Sequence, residues 1–450
     1  MARFPHLELS KKIDGLHKPK QGGPREIDPT TKNHLDNRKE YGRILLSRVD
    51  GLSEYWKDNI RSRKEANLPE LPNPNIVPVF LQIDTKKCDI ESLKSFGIEI
   101  IAEEEDGFII GASSDDFQSL REKIKKFMTE KGKYKDKASQ LWQINEGTQL
   151  RVDQILSDDL KLKWSSIKDE DELIVDVGIA CHFKMPGQPI KTKKETDSHF
   201  KKRTESWKER KNKNELRRDD IAMKRQTEFE NFISACKGEA LGGYVDFDDS
   251  FSCRIKISGK GLKDIVLNYQ YLFEVVEYDS LMIQDSSVSE IGPVSPELIP
   301  PDKNSPKVCV IDSGIQEEHR LLAPAIDNSN SISFIPGDTS TADIAQNGGH
   351  GTRVAGAILY PDQIPKNGKY LLPCFIQNAR VLERNGNQSI LPETLYPPKL
   401  MEDIVSHFDD TRIFNMSINS YNACKLIHMS QWATTIDKLM HANNLLFILS

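Results

Sequence analysis

The chain has 450 residues and a formal net charge of −6, with 37% hydrophobic and 29% charged residues. That is enough for two or three domains with sizeable cores, and it gives no global argument for a nucleic-acid or membrane partner. No run of about 18 apolar residues occurs and the start, Met1-Ala2-Arg3-Phe4-Pro5-His6, lacks the apolar core of a secretory signal, so neither a membrane span nor export is expected. The cysteines Cys88, Cys181, Cys236, Cys253, Cys309, Cys374 and Cys424 are odd in number and unpaired in spacing, which argues against a disulfide framework or a zinc site; the expected compartment is the cytoplasm, and no metal or cofactor is expected.

Residues 1–70 read as a helical N-terminal arm. A basic, Gly/Pro-rich lead at 18–25 reads as flexible. Tyr41, Ile44, Leu45, Val49, Leu52 and Tyr55 recur near helical spacing, with a break expected near Gly51. The prolines of Pro69-Glu70-Leu71-Pro72-Asn73-Pro74 mark a linker. Residues 71–290 then carry two similar element orders. The first has strand patterns at 76–83, 99–103 and 107–112, a helical stretch around 90–94, and a helix with Phe117, Leu120, Ile124 and Phe127 on one face, for which Asp115 and Asp116 suit the start. The second has strand patterns at 173–179, 242–257 and 272–278 and a helix at 262–267. Each order fits a ferredoxin-like α+β sandwich. Between them residues 191–237 are helix-prone and charged. Lys and Arg dominate, but Glu205, Glu209, Asp219 and Asp220 interleave, which suits a solvated helix better than a nucleic-acid surface.

Ile291-Gly292-Pro293-Val294-Ser295-Pro296 and the prolines up to Pro306 form an extended linker, 291–306. Next, Val308-Cys309-Val310-Ile311 reads as a buried strand ended by Asp312-Ser313-Gly314. An acid at the carboxyl end of such a strand sits where α/β sheets bind ligands. His350 lies between glycines in Gly348-Gly349-His350-Gly351-Thr352-Arg353-Val354-Ala355-Gly356, and Val354, Ala355, Ile358 and Leu359 place it at a helix start. The helix dipole there is expected to disfavour the charged imidazole. Taken alone, Asp-Ser-Gly is more often a turn than a catalytic motif.

Together these segments resemble the subtilisin-like serine proteases, the subtilases, whose Asp motif reads Asp-Ser/Thr-Gly and whose His motif reads His-Gly-Thr-x-Val-Ala-Gly. The resemblance covers about residues 305–450 and implies a parallel α/β sheet with flanking helices and a triad in the order Asp, His, Ser. Asp312 and His350 would be catalytic, with carboxylate and Nδ1 about 2.6–3.2 Å apart. Asn378-Ala379-Arg380-Val381-Leu382 resembles the next family strand, with a turn at Asn385-Gly386, and residues 401–408 suggest a short helix. Asn415-Met416-Ser417-Ile418-Asn419 resembles the family's Asn-Met-Ser-Leu-Gly strand, whose edge pairs with substrate backbone, so Ser417, Ile418 and Asn419 would bind substrate; Asn419 stands where the family usually has Gly. A helix at 432–441 precedes Leu445-Leu446-Phe447-Ile448-Leu449, which resembles the strand leading to the oxyanion asparagine. No Gly-Thr-Ser-x-Ala segment occurs in the sequence. The expected nucleophile therefore lies beyond residue 450, and the catalytic domain, 307–450, is read as truncated and by itself inactive. Subtilases often carry an N-terminal prodomain that assists folding and blocks the site, and the sandwiches in 71–290 resemble such modules in element order; the alternative is two accessory domains with unrelated tasks. A narrower resemblance is to bacterial subtilases encoded beside an AAA-type ATPase in anti-phage defence pairs. The expected function is a serine endopeptidase acting on protein or peptide, with such an ATPase as partner; the alternative is a pseudoprotease that serves as a binding module.

Overall fold

In the computed structural model the described residues are 27–83, 98–104, 107–113, 117–130, 136–145, 148–181, 186–192, 195–283, 294–346, 349–420 and 429–449. The basic lead at 18–25, the helical stretch around 90–94, Asp115, Asp116, Ile291-Gly292-Pro293, Gly348 and Ser450 lie outside them.

Two helices open the described chain, α1 (Pro29–Asp36) and α2 (Arg38–Glu65). The break expected near Gly51 falls instead at Asn37, whose φ is −111° and whose side-chain amide bonds back to Asn33 at 2.7 Å. Such local side-chain bonding competes with helix continuation. Gly51 costs the helix about 1 kcal/mol, less than the burial of Leu45, Val49, Leu52 and Trp56 along one stripe of α2 returns. For the same reason α2 is not a free arm: its stripe belongs to the core of the units that follow.

Those units are two antiparallel sheets. The first comprises β1 (Ile76–Ile83), β2 (Ile98–Glu104), β3 (Gly107–Ser113) and β4 (Leu141–Asn145) in the order β2-β3-β1-β4, with α3 (Gln118–Thr129) packed against α2. Helices α4 (Thr148–Ile155) and α5 (Asp158–Lys163) lead to the second, built from β5 (Glu172–Ala180), α6 (Asp197–Ala235), β6 (Glu239–Asp246), β7 (Ser250–Ser258), α7 (Gly259–Asn268) and β8 (Leu272–Glu277) in the order β6-β7-β5-β8. In each, the first and third strands are central. One continuous apolar cluster, from Tyr41 to Val275, runs through α2, α3 and both sheets. The buried Arg63–Asp264 ion pair fixes α2 to α7. The charged helix α6 buries only Arg225, Phe229, Phe232 and Ile233, all in its last three turns.

The C-terminal unit is a different construction. Its segments are β9 (Glu297–Ile299), β10 (Lys307–Asp312), β11 (Ile332–Ser333), α8 (His350–Leu359), β12 (Lys369–Leu371), β13 (Phe375–Arg380), β14 (Glu383–Asn385), β15 (Gln388–Ile390), α9 (Pro397–His407), β16 (Ile413–Met416), α10 (Gln431–Asn443) and β17 (Leu446–Leu449). The strands β11-β13-β10-β16-β17 form one parallel sheet in that order. Alternate residues of β10 feed opposite cores: Cys309 and Ile311 join a cluster with α9 and Ile436 of α10, while Val308 and Val310 join Ala355 and Leu359 of α8. A strand buried on both faces needs the uninterrupted apolar run seen in the sequence. The chain lays β11 and β13 on one side of β10 and β16 and β17 on the other, so the strand order reverses at β10, and the carboxyl ends of strands at such a reversal are where open α/β sheets bind ligands. The linker is not wholly irregular, since β9 pairs with β12. Among the described residues no helix is long and apolar enough to cross a membrane.

Candidate active site

Asp312 is the last residue of β10 and is fully buried; His350 is the first of α8. Although 38 positions separate them, both Asp312 carboxylate oxygens lie 2.9 Å from His350 Nδ1. Against an ionised carboxylate, which can only accept, Nδ1 carries a proton, so in the neutral ring Nε2 is left as an acceptor. The close approach depends on glycine. A Cβ on Gly351 would stand 2.2 Å from the Gly314 carbonyl oxygen and 3.0 Å from Asp312 Cβ, and Gly314 has φ +103°.

The helix dipole does not set the charge state of His350. Its pKa is raised above the ordinary value, chiefly by the hydrogen bond to Asp312, and burial opposes this without overcoming it. The expectation of a disfavoured imidazolium is therefore corrected: a contacting carboxylate outweighs the partial charge of a helix end.

Two further residues, Ser313 of the Asp-Ser-Gly motif and Asp343, complete the arrangement. Ser313 donates its backbone N–H to Asp312 Oδ1 at 2.7 Å. Its hydroxyl lies 3.0 Å from Asp312 Oδ1 and 2.8 Å from Asp343 Oδ1, and one proton can serve only one of these carboxylates at a time. Asp343, in the loop before α8, accepts from the Thr352 N–H at 2.8 Å, the Thr352 hydroxyl at 2.7 Å and the Ala345 N–H at 3.0 Å. It thus caps α8 from a distance, in place of Gly349, whose side-chain-less position leaves room for it: a Cβ there would lie 2.3 Å from Asp343 Oδ2. Asp343 sits seven residues before His350, outside any local capping spacing, and only the loop's fold brings it in.

Ser417 and Ile418 follow β16 directly and are buried; Asn419 is exposed. Because Met416 pairs with Ile311, Ser417 adjoins the end of β10 that carries Asp312. The edge beyond it is occupied by the chain itself. Met282 N–H bonds to the Asn419 carbonyl and Asn419 N–H to the Met282 carbonyl, each at 2.9 Å, and on the other side Leu391 N–H bonds to the Leu281 carbonyl at 2.9 Å. The segment at 281–283 therefore bridges β15 and the stretch after β16, pairing antiparallel with Ile390 and Asn419 through Met282. Three apolar residues are too short to carry a period, so the segment has no signal in the sequence.

The second antiparallel sheet lies against α9 and α10. Arg254, 1% exposed, forks onto Asp176 at 2.7 and 3.1 Å and donates to the carbonyls of Glu393 and Leu395 at 3.1 and 3.3 Å. Tyr396 bonds through its hydroxyl to Ser252 and Gln431, Gln431 reaches Glu274 at 3.0 Å, and Lys438 reaches the Asp246 carbonyl at 2.6 Å. Among the described residues no group of three or more His, Cys, Asp or Glu is placed to hold a metal ion.

A model of the subtilase family matches residues 303–450. No curated protein matches the chain. Two solved structures of the epidermin leader peptide processing serine protease of Staphylococcus aureus are similar to it. One, a serine-to-alanine mutant, is 14% identical with a TM-score of 0.33, over 61% of this chain and 58% of that one. The other is 14% identical with a TM-score of 0.31, over 50% of this chain and 57% of that one. The chain spans less than two thirds of the length of either.

Proposed function

We propose that the site is the acid–base half of a serine endopeptidase. His350 Nε2 takes the proton of a serine hydroxyl as it attacks a peptide carbonyl and later gives it to the leaving amine; Asp312 holds Nδ1 and stabilises the imidazolium formed in between. The observation that carries this is the Asp312–His350 pair at 2.9 Å at the carboxyl end of β10. A fully buried carboxylate whose oxygens face an imidazole and a neighbouring N–H is costly, and a mere binding scaffold, the pseudoprotease alternative, has no use for it. The nucleophile is assigned to sequence following Ser450.

The second antiparallel sheet and the segment at 281–283 fit the role of an inhibitory, prodomain-like module: the sheet grips α9 and α10, and the segment fills the edge at Asn419 that a substrate would use. The resemblance to subtilases of defence pairs makes an AAA-type ATPase the proposed partner and the cytoplasm the proposed compartment.

The test is labelling by a serine-directed fluorophosphonate. Protein extended past Ser450 should label and the 450-residue chain should not. Labelling should fall by about 10⁴-fold or more in His350→Ala, as when a triad histidine is removed from subtilisin, and by less in Asp312→Asn. Labelling that persists in His350→Ala sinks the assignment.

A further inference from the structure

We infer that the charged helix α6 binds duplex nucleic acid through its phosphate backbone, without reading sequence, along a basic stripe that runs from Lys202 to Lys224. This surface lies outside the Asp312–His350 site and does not depend on the peptidase reading.

Along the sequence, acids interleave with the bases of this region, which suits a solvated helix. The helix itself separates them. At about 100° per residue, Lys202, Arg203, Arg210, Lys213, Arg217 and Lys224 fall within an arc of about 100° on α6. Asp197, Glu205, Glu209, Glu215 and Asp219 fall on a separate arc, and only Asp220 lies on the edge of the stripe. The side that α6 buries, with Arg225, Phe229, Phe232 and Ile233, is turned away from the stripe. All six cations except the half-buried Arg203 are exposed. Arg203 reaches Glu195 at 3.4 Å and Lys224 reaches Glu228 at 3.7 Å. Lys202, Arg210, Lys213 and Arg217 have no carboxylate partner among the described residues. Residues 191–225 hold 14 Lys and Arg against seven Asp and Glu in a chain of net charge −6, so the rest of the chain is acidic by 13 charges and repels a polyanion.

Three features choose the partner. The stripe exposes no large apolar residue, since Leu216 and Met223, the exposed ones of α6, lie on the acidic side. A protein interface buries an apolar core depleted in Lys, and a helix lying on a membrane needs an apolar face to insert; a row of cations without carboxylate partners suits phosphates. No aromatic ring stands on the stripe, because Trp207 is turned to the Pro186 carbonyl at 2.7 Å, so the stacking platform that single strands use is missing. From Lys202 to Lys224 the stripe runs about 33 Å at 1.5 Å per residue, close to the roughly 34 Å of one duplex turn.

The experiment follows the anisotropy of a fluorescein-labelled DNA duplex of about 24 base pairs as the 450-residue chain is added. At about 50 mM salt the duplex should bind with a Kd of about 1–100 µM, and two unrelated sequences should agree within about threefold. For four to six phosphate contacts, log Kd should rise with log salt at a slope of about 4–5. A duplex of DNA or of RNA should bind more tightly than a single strand, and the tighter duplex is the partner. Arg210→Gln/Lys213→Gln/Arg217→Gln should weaken binding at least about tenfold and lower the slope by about 2–3. Lys201→Gln/Lys208→Gln/Lys211→Gln makes the same change of charge on another side of α6; it should alter binding by less than about threefold and leave the slope as it was. Neither set replaces a residue that α6 buries, so both proteins should keep the fold. Equal losses in the two triple variants, no binding at all, or a single strand bound more tightly than either duplex overturns the inference. So does a polyglutamate peptide of equal charge that competes as well as the duplex, which would make the partner an acidic protein.

Discussion

At the scale of single residues the site is a contest over one proton. His350 is held between a buried carboxylate that favours its charged form and a partly dry environment that does not, and the carboxylate prevails. The pH consequences follow by sign. Because the folded-state pKa is raised, protonated His350 stabilises the fold; that contribution is complete below the unfolded value of about 6.5 and is lost as pH rises through the folded value. Base function runs the other way and appears only above the folded value. An NMR titration of His350 should give a midpoint above 6.5. In Asp312→Asn, where burial remains and the charge is gone, the midpoint should drop below that of the unaltered chain. An unmoved midpoint would mean that the observed contact is not what sets the charge of His350.

At the scale of elements, α8 is positioned by its first turn. The Asp343 carboxylate takes the Thr352 N–H and hydroxyl and orients the Ser313 hydroxyl beneath Asp312. Asp343→Ala should therefore cost about 1–2 kcal/mol in urea unfolding, accompanied by faster amide exchange at Thr352. A loss without that local signature would place the effect elsewhere. Legibility divides along the same line. Asp312 and His350 could be read because the strand run Val308-Cys309-Val310-Ile311 and the helical spacing of Val354, Ala355, Ile358 and Leu359 put each at a known end of an element. Asp343 and residues 281–283 could not, since each acts through a contact set by loop geometry or by a distant strand edge. The continuity of α2 has a related reason: Gly51 is a weak breaker once its neighbours find a core, and Asn37, with a bonding partner at Asn33, is a stronger one.

At the scale of the whole molecule, two bodies with separate cores meet across the second antiparallel sheet. The body from α1 to β8 shares one apolar cluster, and the parallel sheet has its own on either face. What joins them is largely polar and centred on Arg254, which pairs with Asp176, donates to the carbonyls of Glu393 and Leu395, and lies over Tyr278 at 4.7 Å and Tyr396 at 5.6 Å. Burial already pushes the Asp176 carboxyl above its ordinary pKa, with Arg254 opposing that push. Arg254→Ala removes the opposing charge and leaves Asp176 ionised and unpaired at neutral pH, which should cost about 3–5 kcal/mol. The same change should loosen the segment at 281–283, read as faster amide exchange at Asn419, because the sheet that delivers it has lost its grip on α9 and α10. The sign of the pH dependence is fixed. A carboxyl with a raised folded-state pKa destabilises the fold when ionised and ceases to do so once protonated, so the deficit of Arg254→Ala should be greatest near neutrality and shrink as pH falls through the folded-state pKa of Asp176. A deficit that stays the same from neutral to acidic pH would show that Arg254 acts through its packing on the two tyrosines, not through its charge.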